Sequence, residues 1–293
     1  MQKILQFQSN LAIAASFIVA LLSFGMDSHL SSTLLLGALL LIVILGVPHG
    51  SLDILFARQT YQLVHITKWL KFLLLYSASC LLIIALWMLV PSLFFIVFLI
   101  LSAIHFSDDI NLSGNQLLKL SYGFAIISLP GVMHGAELTK LYAMIIDEGV
   151  SQQIVLISKY LGIFLLGLLG VLIVSKKICL RTKFEIIAIS ILFLTTTPIL
   201  AFTLYFCLMH SARHLIRSRF FLVHSNHKEF IYSLTFPTLA VIILGVCIWY
   251  FKLTPSVEKD LIQIIFVGLA ALTVPHAWVL QKANFSKWSI KNF

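Results

Sequence analysis

Leu208-Met209-His210-Ser211-Ala212-Arg213-His214 closes an apolar run that begins near Ile199, and its two histidines stand four residues apart. At 3.6 residues per turn they share one helix face, about one turn apart, which is half of a metal site. Imidazoles near membrane depth are costly to desolvate and face a cavity or a partner in preference to lipid. The alternative is an interfacial pair beside Arg213 and Arg217, anchored at the head groups, and the heptapeptide by itself leaves both readings open.

Composition makes that helix one of many. The chain of 293 residues is 60% hydrophobic and 11% charged, with a mean hydropathy of +1.03, too little polar surface to coat a soluble globule. It reads as an integral membrane protein. Apolar stretches of about twenty residues recur with only short connections between them, so residues 1–293 are expected to form one domain, an all-α polytopic transmembrane bundle. The short alternating segments of a membrane β-barrel are not seen. Twenty Lys+Arg against 11 Asp+Glu suit anionic lipid head groups, and no basic face with interleaved aromatics points to nucleic acid. Cys80, Cys179, Cys207 and Cys247 are scattered without a CxxC spacing, as small apolar residues are and disulfide frameworks are not.

The first span follows Lys3, over about 11–24, with no small-residue cleavage pattern before Met26-Asp27. The second, about 33–56, carries Gly46-Val47-Pro48-His49-Gly50-Ser51-Leu52-Asp53. Pro48 bends the axis and frees backbone carbonyls, while Gly46 and Gly50 permit close approach. His49 and Asp53, four apart, share a face and read as a functional pair. A fourth span ends in Ala103-Ile104-His105-Phe106-Ser107-Asp108-Asp109, where the carboxylates stand where acceptors for a ligating imidazole belong, or simply end a helix. The glycines within about 154–174 imply close helix packing. His224 and His227 read as solvated loop residues. The last span, about 261–280, holds Val274-Pro275-His276-Ala277-Trp278, an echo of the second.

Thr195-Thr196-Thr197-Pro198 decides the threading. If it is a turn, the chain has ten spans and its basic segments (the start, Arg58 to Lys71, Lys176 to Lys183, Arg213 to Lys228, Lys282 to Lys291) fall on one side, cytoplasmic by the positive-inside rule. Both termini are then cytoplasmic. The same threading gathers His49, His105, His210, His214 and His276 at one depth and sends His29 and His134 to the opposite face. A kink instead of a turn gives nine spans and scatters them. Imidazoles without thiolates suit iron, zinc, copper or nickel on softness alone, and four of them on an octahedral ion leave two positions open, which suits oxygen at ferrous iron. Di-iron membrane desaturases and hydroxylases use several histidine boxes, whereas this chain has a single HxxxH.

Taken together, the motifs at 46–53, 102–109, 210–214 and 274–278 resemble those of the Brp/Blh family of microbial β-carotene 15,15′-dioxygenases, in order and over nearly the whole chain. The resemblance implies a multi-pass enzyme of the cell (plasma or inner) membrane that uses Fe(2+) and O2 to split β-carotene at its central double bond into two all-trans-retinal molecules. The product is commonly the chromophore source of a microbial rhodopsin, which makes a rhodopsin a candidate recipient. Position by position, it implies iron ligation by His49, His105, His210 and His214, with no departure at these four. His276 matches a family motif and is expected in the pocket or in support of the ligands, with a fifth ligand position as the alternative. Asp53, Asp108 and Asp109 are the expected acceptors for the distal imidazole N–H groups. β-Carotene is about as long as the hydrocarbon layer is thick, about 30 Å, and partitions into lipid, so a site opening sideways to the bilayer is expected. The rival from another class is a membrane transporter or binding protein for a divalent metal, which predicts ionisable residues strung through the full membrane depth.

Overall fold

Each apolar stretch folds as helix, because in lipid only intrasegment hydrogen bonding satisfies the backbone. The computed structural model describes residues 1–23, 32–110, 115–175, 178–223, 225–251 and 256–292. Its first half comprises α1 (Gln2–Ser23), α2 (Ser32–Tyr61), α3 (Ile66–Leu89), α4 (Pro91–Phe106), α5 (Gln116–Met133) and the short α6 (Gly135–Ala143). Then come α7 (Glu148–Ser175), α8 (Leu180–Thr195), α9 (Pro198–Phe221), α10 (His227–Phe251), α11 (Val257–Lys282) and the short α12 (Phe285–Asn292). Eight of these helices are long and apolar enough to cross a membrane. With α4 and α8, of 16 residues each, they make the expected polytopic all-α bundle. His29, His224, Lys176 and Lys177 lie outside the described residues.

The helices sort by how much of their surface they bury. In α5 and α9, 61% of the most apolar window is buried, against none in α10, so α5 and α9 lie inside while α10 is apolar all round, as a lipid-facing helix is. One large apolar core joins Phe95, Tyr122, Phe193 and Tyr205. A smaller one gathers Phe56, Phe72, Leu222, Val279 and Phe285. Among the glycines of α7, Gly162 is pressed so closely on Ser128 that a Cβ would lie 2.9 Å from its carbonyl oxygen, but Gly167 and Gly170 meet nothing within 4 Å. Close packing therefore accounts for only part of that glycine run.

Thr196 and Thr197 form a turn. Glu185, early in α8, pairs with Arg213, late in α9, at 2.7 Å, a contact that requires the two helices to run antiparallel. Pro198 then opens α9 at a position where its missing N–H costs nothing. Arg213 is 3% and Arg217 5% exposed, so neither is a head-group anchor. Arg213 also donates to Gln8 Oε1 at 3.2 Å and to the Asp109 carbonyl at 2.7 Å, and Ser9 donates to Glu185. Arg217 donates to the Asp108 carbonyl at 3.0 Å and the Asp109 carbonyl at 3.1 Å. Both arginines thus hold the loop after α4 against α9.

Candidate metal centre

The centre begins with two irregular helical turns. In α2, Ile42–Gly46 winds as a π-helix, with Val47 N–H reaching back to the Ile42 carbonyl at 3.1 Å. Pro48 has no N–H to give, and Gly50 N–H bonds Val47 at 3.2 Å. The Gly46 carbonyl is thereby left to side chains, and it accepts from His49 Nδ1 and from Ser211 Oγ. Gly46 has a second role: a Cβ there would lie 2.3 Å from the Phe206 ring. The other π-helical turn, Tyr205–Ser211 in α9, contains His210. Such turns widen the helix and re-aim its side chains, and they are frequent at functional sites.

Five imidazoles from four helices meet between these turns. His49 lies 4.9 Å from His210, 5.4 Å from His214 and 5.2 Å from His276, measured between ring centroids. His105 lies 4.8 Å from His210 and 5.4 Å from His276, and His214 lies 5.1 Å from His276. The ligand nitrogens of His49, His105 and His276 fall within 4.8 Å of one another. His210 and His214, one turn apart in α9, are 6.4 Å apart.

Hydrogen bonds fix which nitrogen is free in three of the rings. His210 Nδ1 donates to the Asp109 carboxylate at 3.0 Å and His276 Nδ1 to Asp53 at 2.7 Å. His214 Nδ1 faces Ser218 Oγ at 3.2 Å. A carbonyl or carboxylate only accepts, so His49, His210 and His276 carry the proton on Nδ1 and present Nε2 as a lone pair. Nε2 of His105, His210, His214 and His276 is buried and meets no hydrogen-bond partner among the described residues. A buried acceptor without a partner is costly. Several buried imidazoles in one place, three of them backed on Nδ1 by an acceptor, are what a bound transition-metal ion requires.

The carboxylates are themselves anchored. Tyr76 donates to Asp53 at 2.8 Å, and Tyr205 donates to Asp109. Burial alone would raise the Asp109 carboxyl, but His210, the Tyr205 hydroxyl and Arg213 outweigh it and hold the group at about 2. Two expectations are corrected here. Asp53 serves His276 and not His49, because the bend at Pro48 turns His49 Nδ1 onto the Gly46 carbonyl. Among the described residues Asp108 serves no imidazole: it pairs with Lys119 at 2.6 Å and accepts from Ser286 at 2.8 Å. Tyr76, Tyr205, Ser211 and Ser218 were not foreseen, although a tyrosine inside an apolar run is a signal, since its hydroxyl needs a partner when buried. His134 stands apart, against the Leu194 carbonyl at 3.2 Å, and His227 begins α10 in an exposed position.

Two cavities meet at the cluster. One, of about 450 Å³, reaches His49, His105, His210 and His276 and is otherwise largely apolar, with Phe95, Phe98, Phe202 and Phe266 in its wall. Phe202, Phe206 and His210, spaced by four, stack in series at 5.3 and 5.5 Å. The other, of about 890 Å³, reaches His105, His210 and His214 and is lined by Asp108, Asp109, Lys119, Arg217 and Lys282. The histidines therefore stand at the boundary between an apolar chamber and a polar one.

A β-carotene 15,15′-dioxygenase family model matches residues 40–283, a range that takes in all five histidines. A curated relative, the β-carotene 15,15′-dioxygenase of uncultured marine bacterium 66A03, is 30% identical over 274 residues, covering 87% of this chain and 97% of that protein. No solved structure matches the chain. From residues 40 to 283, with every histidine of the cluster inside the match, the chain belongs to the β-carotene 15,15′-dioxygenase family of enzymes.

Proposed function

We propose that this chain holds Fe(2+) through His49, His105, His210 and His214, with His276 as a fifth ligand, and cleaves β-carotene with O2 at the central 15,15′ double bond. The carbon–carbon double bond breaks, each carbon takes one oxygen atom, and two all-trans-retinal molecules result. The observation that carries the reading is the set of buried, partnerless Nε2 atoms at the head of an apolar, phenyl-lined cavity. Ferrous iron held by these residues would supply oxygen binding and activation beside the alkene. The protein's own residues do the rest. Asp53 and Asp109 fix the tautomer and orientation of His276 and His210. The phenyl rings hold the polyene by its faces and exclude water from the reacting bond. The apolar lining also argues against an ion path through the bundle, which would need polar groups along it.

Residues from α3 (Leu73, Ser77) and α10 (Pro237, Val241) line the same cavity, so entry from the bilayer between these two helices suits a lipid-dissolved substrate. The Lys/Arg bias of the loops supports cytoplasmic termini, in a protein of the cell inner membrane. A microbial rhodopsin is a fitting recipient of the retinal. The test is expression in β-carotene-producing cells: the orange colour fades and retinal accumulates, and His49→Ala or His214→Ala restores the colour. Persistent colour with the unaltered chain well expressed overturns the reading.

A further inference from the structure

The apolar cavity has a deep end remote from the histidines, and that end is built with unusual care. Its wall there is Leu138 and Tyr142 of α6, Ile145 just beyond, and Ile262 early in α11. Leu138, Ile145 and Ile262 are buried, and Tyr142 packs edge-on against Phe95 at 4.6 Å. The turn carrying Ile145 is clamped from behind by two separate helices. Trp87 Nε1 of α3 donates to the Ile145 carbonyl at 3.1 Å, and Gln263 Nε2 of α11 donates to the Met144 carbonyl at 2.6 Å. Two side chains from different helices, bonded to adjacent carbonyls, fix the position of a segment that joins the large apolar core and forms this floor.

The floor lies at a telling depth. Ten residues of α4 separate Phe95 from His105, and fourteen of α11 separate Ile262 from His276. At 1.5 Å per residue these are about 15 and about 21 Å. β-Carotene spans about 30 Å, the hydrocarbon thickness, so each half is about 15 Å long. One half, entered ring first, spans the distance from the histidines to the level of Phe95, on which Tyr142 of the floor packs, and leaves the other half toward α3 and α10.

We propose that the floor at Leu138, Tyr142, Ile145 and Ile262, held by Trp87 and Gln263, is the stop that selects the central double bond, by seating one ring end and so fixing which carbons lie beside the histidines. This rests on the carotenoid-cleavage reading. Nothing polar along an unsubstituted polyene distinguishes one double bond from the next, so length against a fixed wall is the available discriminator. The chemistry is unchanged: one double bond breaks and each carbon takes one atom of O2, whichever bond is presented.

The test supplies the full-length, iron-loaded protein with β-carotene and separates the aldehydes by chromatography. The unaltered chain gives retinal alone. Ile145→Ala deepens the arm, Ile262→Phe shortens it, and Trp87→Phe and Gln263→Leu loosen the clamp while keeping bulk. Each raises the share of unequal aldehyde pairs by about tenfold or more, the discrimination that a methylene group carries in an apolar pocket. Val241→Phe, at the other end, lowers the rate and leaves retinal the product. An apocarotenal that keeps one ring is cut at the same bond, since the intact ring reaches the same floor. If every floor and clamp variant that still turns over gives retinal alone, the stop is overturned and the cleavage reading stands. If the unaltered chain releases no aldehyde at all, the cleavage reading falls and the stop falls with it.

Discussion

His276 donates its Nδ1–H to Asp53 across 2.7 Å, joining residues 223 positions apart, while His49, one turn from Asp53 in its own helix, turns to the Gly46 carbonyl instead. The pairing ties α11 to α2 through the centre and pins one imidazole by its far nitrogen. Asp53→Asn keeps the shape and weakens the acceptor. Loss of such a partner costs about 10–100-fold in metal affinity, and competition of the purified protein against a chelator reads it directly. Unchanged affinity contradicts the role given to Asp53.

The cluster also ranks its members. The ligand nitrogens of His276, His49 and His105 lie within 4.8 Å of one another, whereas among the described residues His214 Nδ1 is backed by the Ser218 hydroxyl. If His276 is a ligand, His276→Ala lowers metal content as much as His105→Ala does. Elemental analysis of the two variants beside the unaltered chain decides it. Full metal content in His276→Ala reduces that residue to a wall of the pocket.

Beside the centre, Arg213 and Glu185 form a buried pair at 2.7 Å. Removing one partner leaves the other charge without compensation in the interior, and the expected loss is about 3–5 kcal/mol. Glu185→Leu and Arg213→Met are each expected to lower thermal stability in detergent sharply. The double variant loses less than the sum, since the members of one network do not add. Additive losses contradict the coupling.

The polar chamber gives a separate expectation. Because His105, His210 and His214 are reached from it through Asp108, Asp109 and Lys119, a hydrated ion arrives from that side without crossing the apolar arm. Ala277→Trp, in its wall, is expected to slow loading of metal-free protein and leave the final metal content unchanged. An equal slowing by Phe98→Trp in the apolar arm, with none from Ala277→Trp, reverses the assignment.

Much of this arrangement was legible in the sequence, for definite reasons. Apolar runs of about twenty residues have one solution in lipid, so the helices of the bundle follow from hydropathy alone. Charge favoured a turn at Thr195-Pro198, which sets the basic segments on one side, but the sequence left a kink open, and the contact between Glu185 and Arg213 shows the turn. His49, His105, His210, His214 and His276 stood out since imidazoles are costly at that depth. What escaped was the partner of each carboxylate. Spacing along a helix finds neighbours one turn away, and it suggested His49 for Asp53, yet His49 turns back onto the Gly46 carbonyl and the helix is interrupted at Leu52, between the two residues. Asp108 and Asp109 are adjacent in sequence, but one faces Lys119 and the other His210, a choice made by packing between distant helices. Lys119 and Glu185 belong to the same blind spot: each looks like an ordinary charge near a helix start until its buried partner is seen.

Convergence of the imidazoles on a single iron ion is read most directly by X-ray absorption at the iron edge of the purified, loaded protein. The proposed function predicts one iron per chain in a shell of four or five imidazole nitrogens and no sulfur, with imidazole scattering lost stepwise in His49→Ala and His210→Ala. A shell holding two or fewer imidazoles, or one unchanged by those substitutions, would show that the histidines do not grip a common atom.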